Sequence, residues 1–261
     1  MSAARYAREY APGDCLSPSQ AKLFLSCSAK WAFQYLLNLA SPKTGALLQG
    51  SAVHEAIAEN FRQKIETHQD LPAAGVSAVY SEAWAALREE TEFRDDEDEG
   101  QLKAEGEQLA RLYIDEAAPS IEPTAVELPV EGTIGGVHVR GYVDLLDVDG
   151  RVIEIKTRRQ KASRAEFNDV LQLSTYCALT QQASGAGRID VLVKKKRPEL
   201  VQLDVQVAPA DLTMVDRLYP QVQAGIRAQV VVPNRASHLC SRRFCGYWRE
   251  CSKEFGGTIP E

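Results

Sequence analysis

No stretch of this sequence approaches the roughly 18 consecutive apolar residues of a membrane-spanning helix, so a helical membrane protein is excluded. The opening run Met1–Glu9 has no apolar centre; a secretory signal is not expected, and the cytoplasm is the expected compartment. There is no biased tract, no internal repeat and no Gly/Ser linker. At 261 residues this leaves one sizeable core, or one core with a small helical subdomain. In such a chain six cysteines read as thiols or metal ligands rather than a disulfide framework.

Net positive charge is lacking as well: the formal charge is −6. The deficit is local. Residues 89–99 hold Glu89, Glu90, Glu92, Asp95, Asp96, Glu97, Asp98 and Glu99 against Arg94 alone, a window of −7 that leaves about +1 for the rest. Such a block reads first as a solvated loop or helix end. Shielding a groove or docking a basic partner stay open as alternatives. Nucleic-acid binding is not excluded, because it depends on where the bases sit rather than on their sum.

What is present begins with a helix start. Ser17-Pro18-Ser19-Gln20 has the form of a capping box, and Leu23, Phe24, Cys27, Trp31 and Tyr35 predict one helix to about Leu37. Val53, Ile57, Phe61 and Ile65 predict a second after Gly50, and two more are expected over about 76–91 and 101–117. Residues 124–132, 137–147 and 151–157 alternate and are rich in Val and Ile, with Gly135-Gly136 and Asp149-Gly150 between them: a β-meander. A helix over about 165–182, strands over 188–195 and 199–206, and a helix over 209–228 complete an α/β core with a helical N-terminal elaboration. The domain reading is an N-terminal tail (1–16), a helical region carrying Cys27 and His54 (17–120), a core (121–232) and a Cys-rich tail (233–261).

The register of the second hairpin carries the chemistry. A two-residue Asp149-Gly150 turn would pair Asp144 with Ile155 and leave Glu154 on the other face. A three-residue loop, Val148-Asp149-Gly150 with Gly150 left-handed, sets Asp147 opposite Arg151, Asp144 opposite Glu154 and Tyr142 opposite Lys156. Val143 and Leu145 then share the other face with Ile155 and Ile153, so the apolar pattern selects this register. Two carboxylates on neighbouring strands suit a hard octahedral cation, Mg²⁺ or Mn²⁺, which activates water at a phosphodiester. Lys156 reaches the same side and could orient or deprotonate that water. Alone, the spacing is equally that of an ordinary cross-strand charge pair.

Gly141-Tyr142-Val143-Asp144 and Glu154-Ile155-Lys156-Thr157 resemble motifs II and III of the PD-(D/E)XK nuclease superfamily. Gln172-Leu173-Ser174-Thr175-Tyr176 is similar to the Q-x3-Y motif of its RecB-like branch, and Gly50-Ser51-Ala52-Val53-His54 to that branch's G-x3-H motif. The one departure is Val143, where the superfamily pattern has proline before the aspartate. The resemblance spans about 20–251. It implies a restriction-endonuclease-like core, a mixed central sheet flanked by helices. It implies catalysis by Asp144, Glu154, Lys156, Gln172 and Tyr176, and a divalent metal on His54, Asp144, Glu154 and the Ile155 backbone carbonyl. Gln172 and Tyr176, with Arg158 and Arg159, would contact DNA. Glu127 on the first strand is a further acid that could join.

Cys240-x4-Cys245-x5-Cys251 reads as a metal or iron–sulfur site, and three ligands require a distant fourth. Phe24-Leu25-Ser26-Cys27-Ser28-Ala29-Lys30-Trp31 resembles the N-terminal ligand segment of iron–sulfur RecB-like nucleases. The resemblance implies a [4Fe–4S] cluster on Cys27, Cys240, Cys245 and Cys251 that closes the tail onto the helical region. The x4 spacing after Cys240 departs from the x2 of many members, and Zn²⁺ with His238 is the competing occupant. Cys15 lacks the flanking context, and Cys177 reads as a core residue. Arg158-Arg159 with Lys161, and Lys194-Lys195-Lys196-Arg197, could follow a DNA backbone or form a solvated edge; Arg242, Arg243 and Trp248 could contact single-stranded DNA. The expected activity is metal-dependent DNA hydrolysis, exonucleolytic on ends or single strands. The alternative is a DNA-end-binding subunit serving a helicase or integrase in recombination, repair or CRISPR adaptation.

Overall fold

The computed structural model describes residues 11–41, 43–180 and 185–261. Met1–Glu9, expected to carry no signal, lies outside them, as do the last two residues of the helix expected over 165–182. In chain order the elements are β1 (Cys15–Leu16), α1 (Pro18–Ser26), α2 (Ser28–Trp31) with a π-helical extension Ala32–Leu36, β2 (Lys43–Thr44), α3 (Gly45–Thr67), α4 (Ala73–Arg88), β3 (Thr91–Glu92) and α5 (Glu99–Glu116). They continue with β4 (Pro123–Ile134), β5 (Val137–Asp147), β6 (Val152–Arg158), α6 (Phe167–Thr180), β7 (Ala186–Val193), β8 (Glu199–Gln206), α7 (Pro209–Arg227) and α8 (Trp248–Phe255). Among the described residues no helix is long and apolar enough to cross a membrane.

The described residues form two compact units: residues 43–130 with 142–180 and 185–208, and residues 11–41 with 131–141 and 209–261. In the first of these the sheet is mixed. β5 runs antiparallel to β6, β6 parallel to β7 through the α6 crossover, and β7 antiparallel to β8. Ile153 and Ile155 of β6 and Leu192 of β7 pack on one side with α3, α4 and α5; Val152, Ile189, Val191 and Val193 pack on the other with Leu173, Tyr176 and Cys177 of α6. This is the expected α/β arrangement: β6 and β7 carry apolar residues at both alternating positions, so both faces of the sheet are covered. The hairpin between β5 and β6 has the three-residue loop: Gly150 sits at φ +77°, its N–H donates to Asp147 O at 2.9 Å, and Leu145 lies opposite Ile153. Asp147 N donates to Arg151 O at 3.0 Å, which closes the register that sets Asp144 toward Glu154.

Val143 departs from the expected pattern. It packs with Val152 and Ile189, whereas Leu145, two residues on, packs with Ile153 against the helices. β5 therefore changes sides around Asp144.

The other unit holds β1 paired in parallel with residues 138–139, and a small core of Ala29, Phe33, Tyr247, Cys251 and Ile259. The single helix expected to Leu37 is broken at Cys27, which is extended at φ −164°, ψ 100°. Segment 232–234 takes over there: Ser28 Oγ accepts from Val232 N at 2.8 Å, and Asn234 Nδ2 donates to Ser26 O at 2.9 Å. Ser17 caps α1 through Gln20 N, but the Gln20 side chain donates to Cys15 O, so only half of the capping box forms. The helix carrying His54 begins five residues before Gly50, at Gly45, with Thr44 as its cap. Helix α8 and the short strands β1, β2 and β3 have no counterpart in the sequence reading. The acidic block is largely consumed locally: Asp98 caps α5, Glu99 pairs with Arg88, and Glu97 and Asp96 pair with Arg94.

Candidate active site

Strand β6 and helix α6 meet in register. Glu154, Lys156 and Arg158 alternate onto the α6 side of the strand, and Asp169, Gln172 and Tyr176 follow one stripe of the helix at i, i+3 and i+7. Lys156 Nζ donates to Glu154 Oε1 and, at 3.1 Å, to Gln172 Oε1; Gln172 Nε2 donates to Tyr176 OH at 3.1 Å. One turn earlier Arg158 bonds the buried Asp169, whose other oxygen accepts from Glu166 N at 3.1 Å at the start of the helix. Asp169 went unremarked in the sequence, although its position three residues before Gln172 already put it on that stripe.

Strand β5 contributes Asp144, whose Oδ2 accepts from Ile155 N at 2.8 Å and lies 3.8 Å from His54 Nδ1. That separation is too long for a hydrogen bond and suits an ion between the two. Gly50 explains how His54 comes so close: a Cβ there would meet Thr157 Oγ1 at 3.3 Å, so the glycine lets α3 approach β6 one turn before the histidine. Glu127 of β4 joins this group, the ligand atoms of His54, Glu127 and Asp144 all lying within 4.8 Å of one another.

The electrostatics show an arrangement short of positive charge. Burial, and then the Glu154 carboxylate, push Asp144 well above the usual carboxylate range. Burial, and then Lys156, hold His54 below its ordinary value despite Glu154, which keeps the imidazole neutral and able to ligate. Against burial, Glu154 and Asp144 hold Lys156 above the usual lysine value, so it is an ammonium. Glu154 is 3% exposed and its Oε2 has no hydrogen-bond partner. A buried, unpartnered carboxylate oxygen is expensive unless something cationic meets it. The donor set thus fits a hard divalent cation.

Five of the cysteines lie in the other unit, and Cys177 on α6 in this one. None of the six is in a disulfide. Cys27, Cys240, Cys245 and Cys251 all line a pocket of about 600 Å³, counted with the solvent space at its mouth, and Asn234 N donates to Cys27 Sγ at 3.4 Å. His238 is exposed and outside the lining. Cys15 and Cys177 are buried elsewhere, and burial pushes the Cys177 thiol up to about 11.

The basic groups divide. Arg158 is anchored on Asp169 and Arg159 is exposed. Lys161 and Lys195 both pair with Glu199, and Lys194 Nζ donates to the buried Gln49 at 3.1 Å. In the tail, Arg242 and Arg249 lie over the Trp248 ring at 5.0 and 4.8 Å from its centroid.

A carboxyl whose folded value is raised loses stability for the fold as pH climbs from its unfolded value through the folded one. Metal-free protein should therefore be stabilised at neutral pH by Asp144→Asn, with the gain shrinking toward mildly acidic pH. Urea unfolding in EDTA measures this, and a destabilised variant would contradict the reading.

The family model of the PD-(D/E)XK nuclease superfamily matches residues 15–252. A solved structure from Eubacterium rectale, described as a candidate exonuclease, is similar with a TM-score of 0.63 and 15% identity, over 96% of this chain and 92% of that one. A second, SSO0001, gives a TM-score of 0.40 at 16% identity over 92% of this chain and 94% of that one. No curated protein matches. With the family model covering nearly the whole chain, and the E. rectale structure sharing its fold, the chain belongs to the PD-(D/E)XK nuclease superfamily.

Proposed function

We propose that this nuclease hydrolyses DNA phosphodiesters with Mg²⁺ or Mn²⁺ held by His54, Asp144, Glu154 and the Ile155 carbonyl. The observation that carries the reading is the convergence of His54 and Asp144 beside the Glu154–Lys156–Gln172 chain. When bound, the cation would lower the pKa of a water and offset charge growing on the scissile phosphate. The rest falls to the chain's own side chains. Lys156, held as an ammonium between Glu154 and Gln172, donates hydrogen bonds to the water or to a phosphate oxygen rather than taking a proton. Tyr176 fixes the Gln172 amide through Nε2, and so the direction in which its oxygen holds Lys156. Arg158 and the exposed Arg159 supply cationic contacts to the phosphates flanking the cut. Exonuclease action on DNA ends or single strands, and a place in the RecB-like branch, are supported by the motif set and by the exonuclease description of the E. rectale protein.

We further propose a [4Fe–4S] cluster on Cys27, Cys240, Cys245 and Cys251 as a structural staple, supported by the four cysteines lining one pocket.

End-labelled single- and double-stranded DNA, with Mg²⁺, Mn²⁺ or EDTA, tests the activity. Lys156→Ala should lower the rate by about 10²–10³-fold with its fold retained, and EDTA should abolish cleavage. Equal degradation by the variant would remove Lys156 from the mechanism. For the tail, protein purified without oxygen should be brown and carry about four irons per chain, and Cys240→Ala should lose most of them. A colourless, iron-free wild type would exclude the cluster.

A further inference from the structure

The basic side chains at the carboxyl ends of β6 and β7 are not alike. Arg158 is bound to Asp169 on the α6 face, and Lys161 and Lys195 share Glu199. Arg159 and Lys194 differ from these: among the described residues neither makes an ion pair. Yet the two are neighbours. Arg158 lies opposite Val193 in the parallel register, and the next bond of the ladder runs from Lys194 N to Arg158 O at 2.7 Å. That bond sets Arg159 beside Lys194 just past the ends of the strands. Like charges side by side on adjacent strands are destabilising, and nothing on the sheet offsets them.

Lys194 is also fixed in place. Leu192 packs on the α3–α4–α5 side of the sheet, and Lys194, two residues on, reaches the same side, where its Nζ donates to Gln49 Oε1 at 3.1 Å. Gln49 is fully buried, and its amide nitrogen is already spent on Leu102 O at 2.8 Å and Glu105 Oε2 at 2.9 Å, both of α5. The amide therefore has a single orientation, with its oxygen toward the lysine, and two of the three ammonium donors stay available. Thr157 faces the same way from β6: its hydroxyl lies against Gly50, the residue after Gln49. Burial holds Lys194 below the usual lysine value; Glu105 opposes this and the Arg159 charge adds to it. An anion beside the two cations would relieve their repulsion.

We infer that Arg159 and Lys194, with the Thr157 hydroxyl beside them, bind a phosphate of the substrate strand that flanks the scissile one. The inference rests on the DNA-hydrolysing reading above and adds a second place where the strand is held. A guanidinium fork and an ammonium supply the donors that phosphate oxygens accept, and ligands of open α/β sheets gather outside the carboxyl ends of the strands. The distance suits one strand as well. Gln49 stands five residues before His54 on α3, about 7.5 Å along the helix axis. A backbone phosphodiester and a terminal phosphate present the same oxygens to such a site, so the test separates them.

Binding of a fluorescent single-stranded oligonucleotide is followed by anisotropy across a range of salt, in EDTA and in Ca²⁺ to hold back cleavage. Wild type, Arg159→Gln, Lys194→Gln, Lys194→Arg and Lys161→Gln are compared, with circular dichroism confirming the fold. Arg159→Gln and Lys194→Gln should each weaken binding about fivefold or more near 0.1 M salt, and lower the slope of log affinity against log salt by about 0.7. Lys194→Arg keeps the charge and should restore most of the affinity. Lys161→Gln removes a charge that Glu199 already offsets and should change affinity by less than about twofold. Competition by unlabelled strands ending in 5′-phosphate, 3′-phosphate or hydroxyl identifies the source. An equal loss for all three assigns a backbone phosphate, and a loss confined to one phosphorylated end assigns that end. A folded Lys194→Gln with unchanged affinity and slope would overturn the inference, as would an equal loss in Lys161→Gln, the behaviour of a diffuse field. In either case wild-type binding leaves the DNA reading standing; a wild type that binds no DNA in either buffer would remove both.

Discussion

Crowded negative charge is the constraint on which the rest of the site turns. Asp144 and Glu154 come from neighbouring strands into a region where little water reaches them, and Glu127 stands beside His54 and Asp144. Each carboxylate makes the ionised form of the others costlier, and Asp144 shows it most, its carboxyl driven well above the ordinary range. A fold that keeps such a group is not minimising its own free energy. It favours positive charge, which Lys156 supplies in part and to which a divalent cation would add.

The surrounding elements make sense as supports for that arrangement. Helix α6 works as a ruler along β6: Asp169 fixes Arg158, Gln172 fixes Lys156, and Tyr176 fixes Gln172. The spacing 154, 156, 158 on a strand and 169, 172, 176 on a helix can stay matched only over about this distance, since the two periods then drift apart. Helix α3 brings His54 from the other side, and Gly50 sets how closely it can approach. These contacts hold Lys156 and Arg158 against their carboxylate and amide partners before any ligand arrives.

Much of this was legible in the sequence. The strands and most helices declare themselves by period, and the hairpin register follows from the apolar pattern around Gly150, because a slip by one residue would scatter Leu145 and Ile153 across both faces. The residues of the motifs fall on the strand and helices where they were expected. What the pattern could not carry was its own interruption. Strict alternation put Val143 on the face of Leu145, and nothing in the residue types announces that β5 changes sides at Asp144 or that β4 does so at Glu127. A bulge is a tertiary compromise that the strand's own residue types do not announce. The break at Cys27 was hidden for a similar reason: the helical spacing of Leu23, Phe24, Trp31 and Tyr35 continues through it, while the segment that opens it lies some 200 residues away, at Val232 and Asn234. Helix α8 does carry helical spacing, with Trp248, Cys251 and Phe255 at i, i+3 and i+7, but over only eight residues and inside the segment whose cysteines suggest a ligand loop.

The most direct test of the central claim is to locate the cation itself. Crystals grown with Mn²⁺ should show an anomalous peak bounded by His54, Asp144 and Glu154, at coordination distances of about 2.0–2.3 Å and at high occupancy. A peak confined to the acidic segment 89–99, or no peak beside Asp144 at saturating Mn²⁺, would contradict the account.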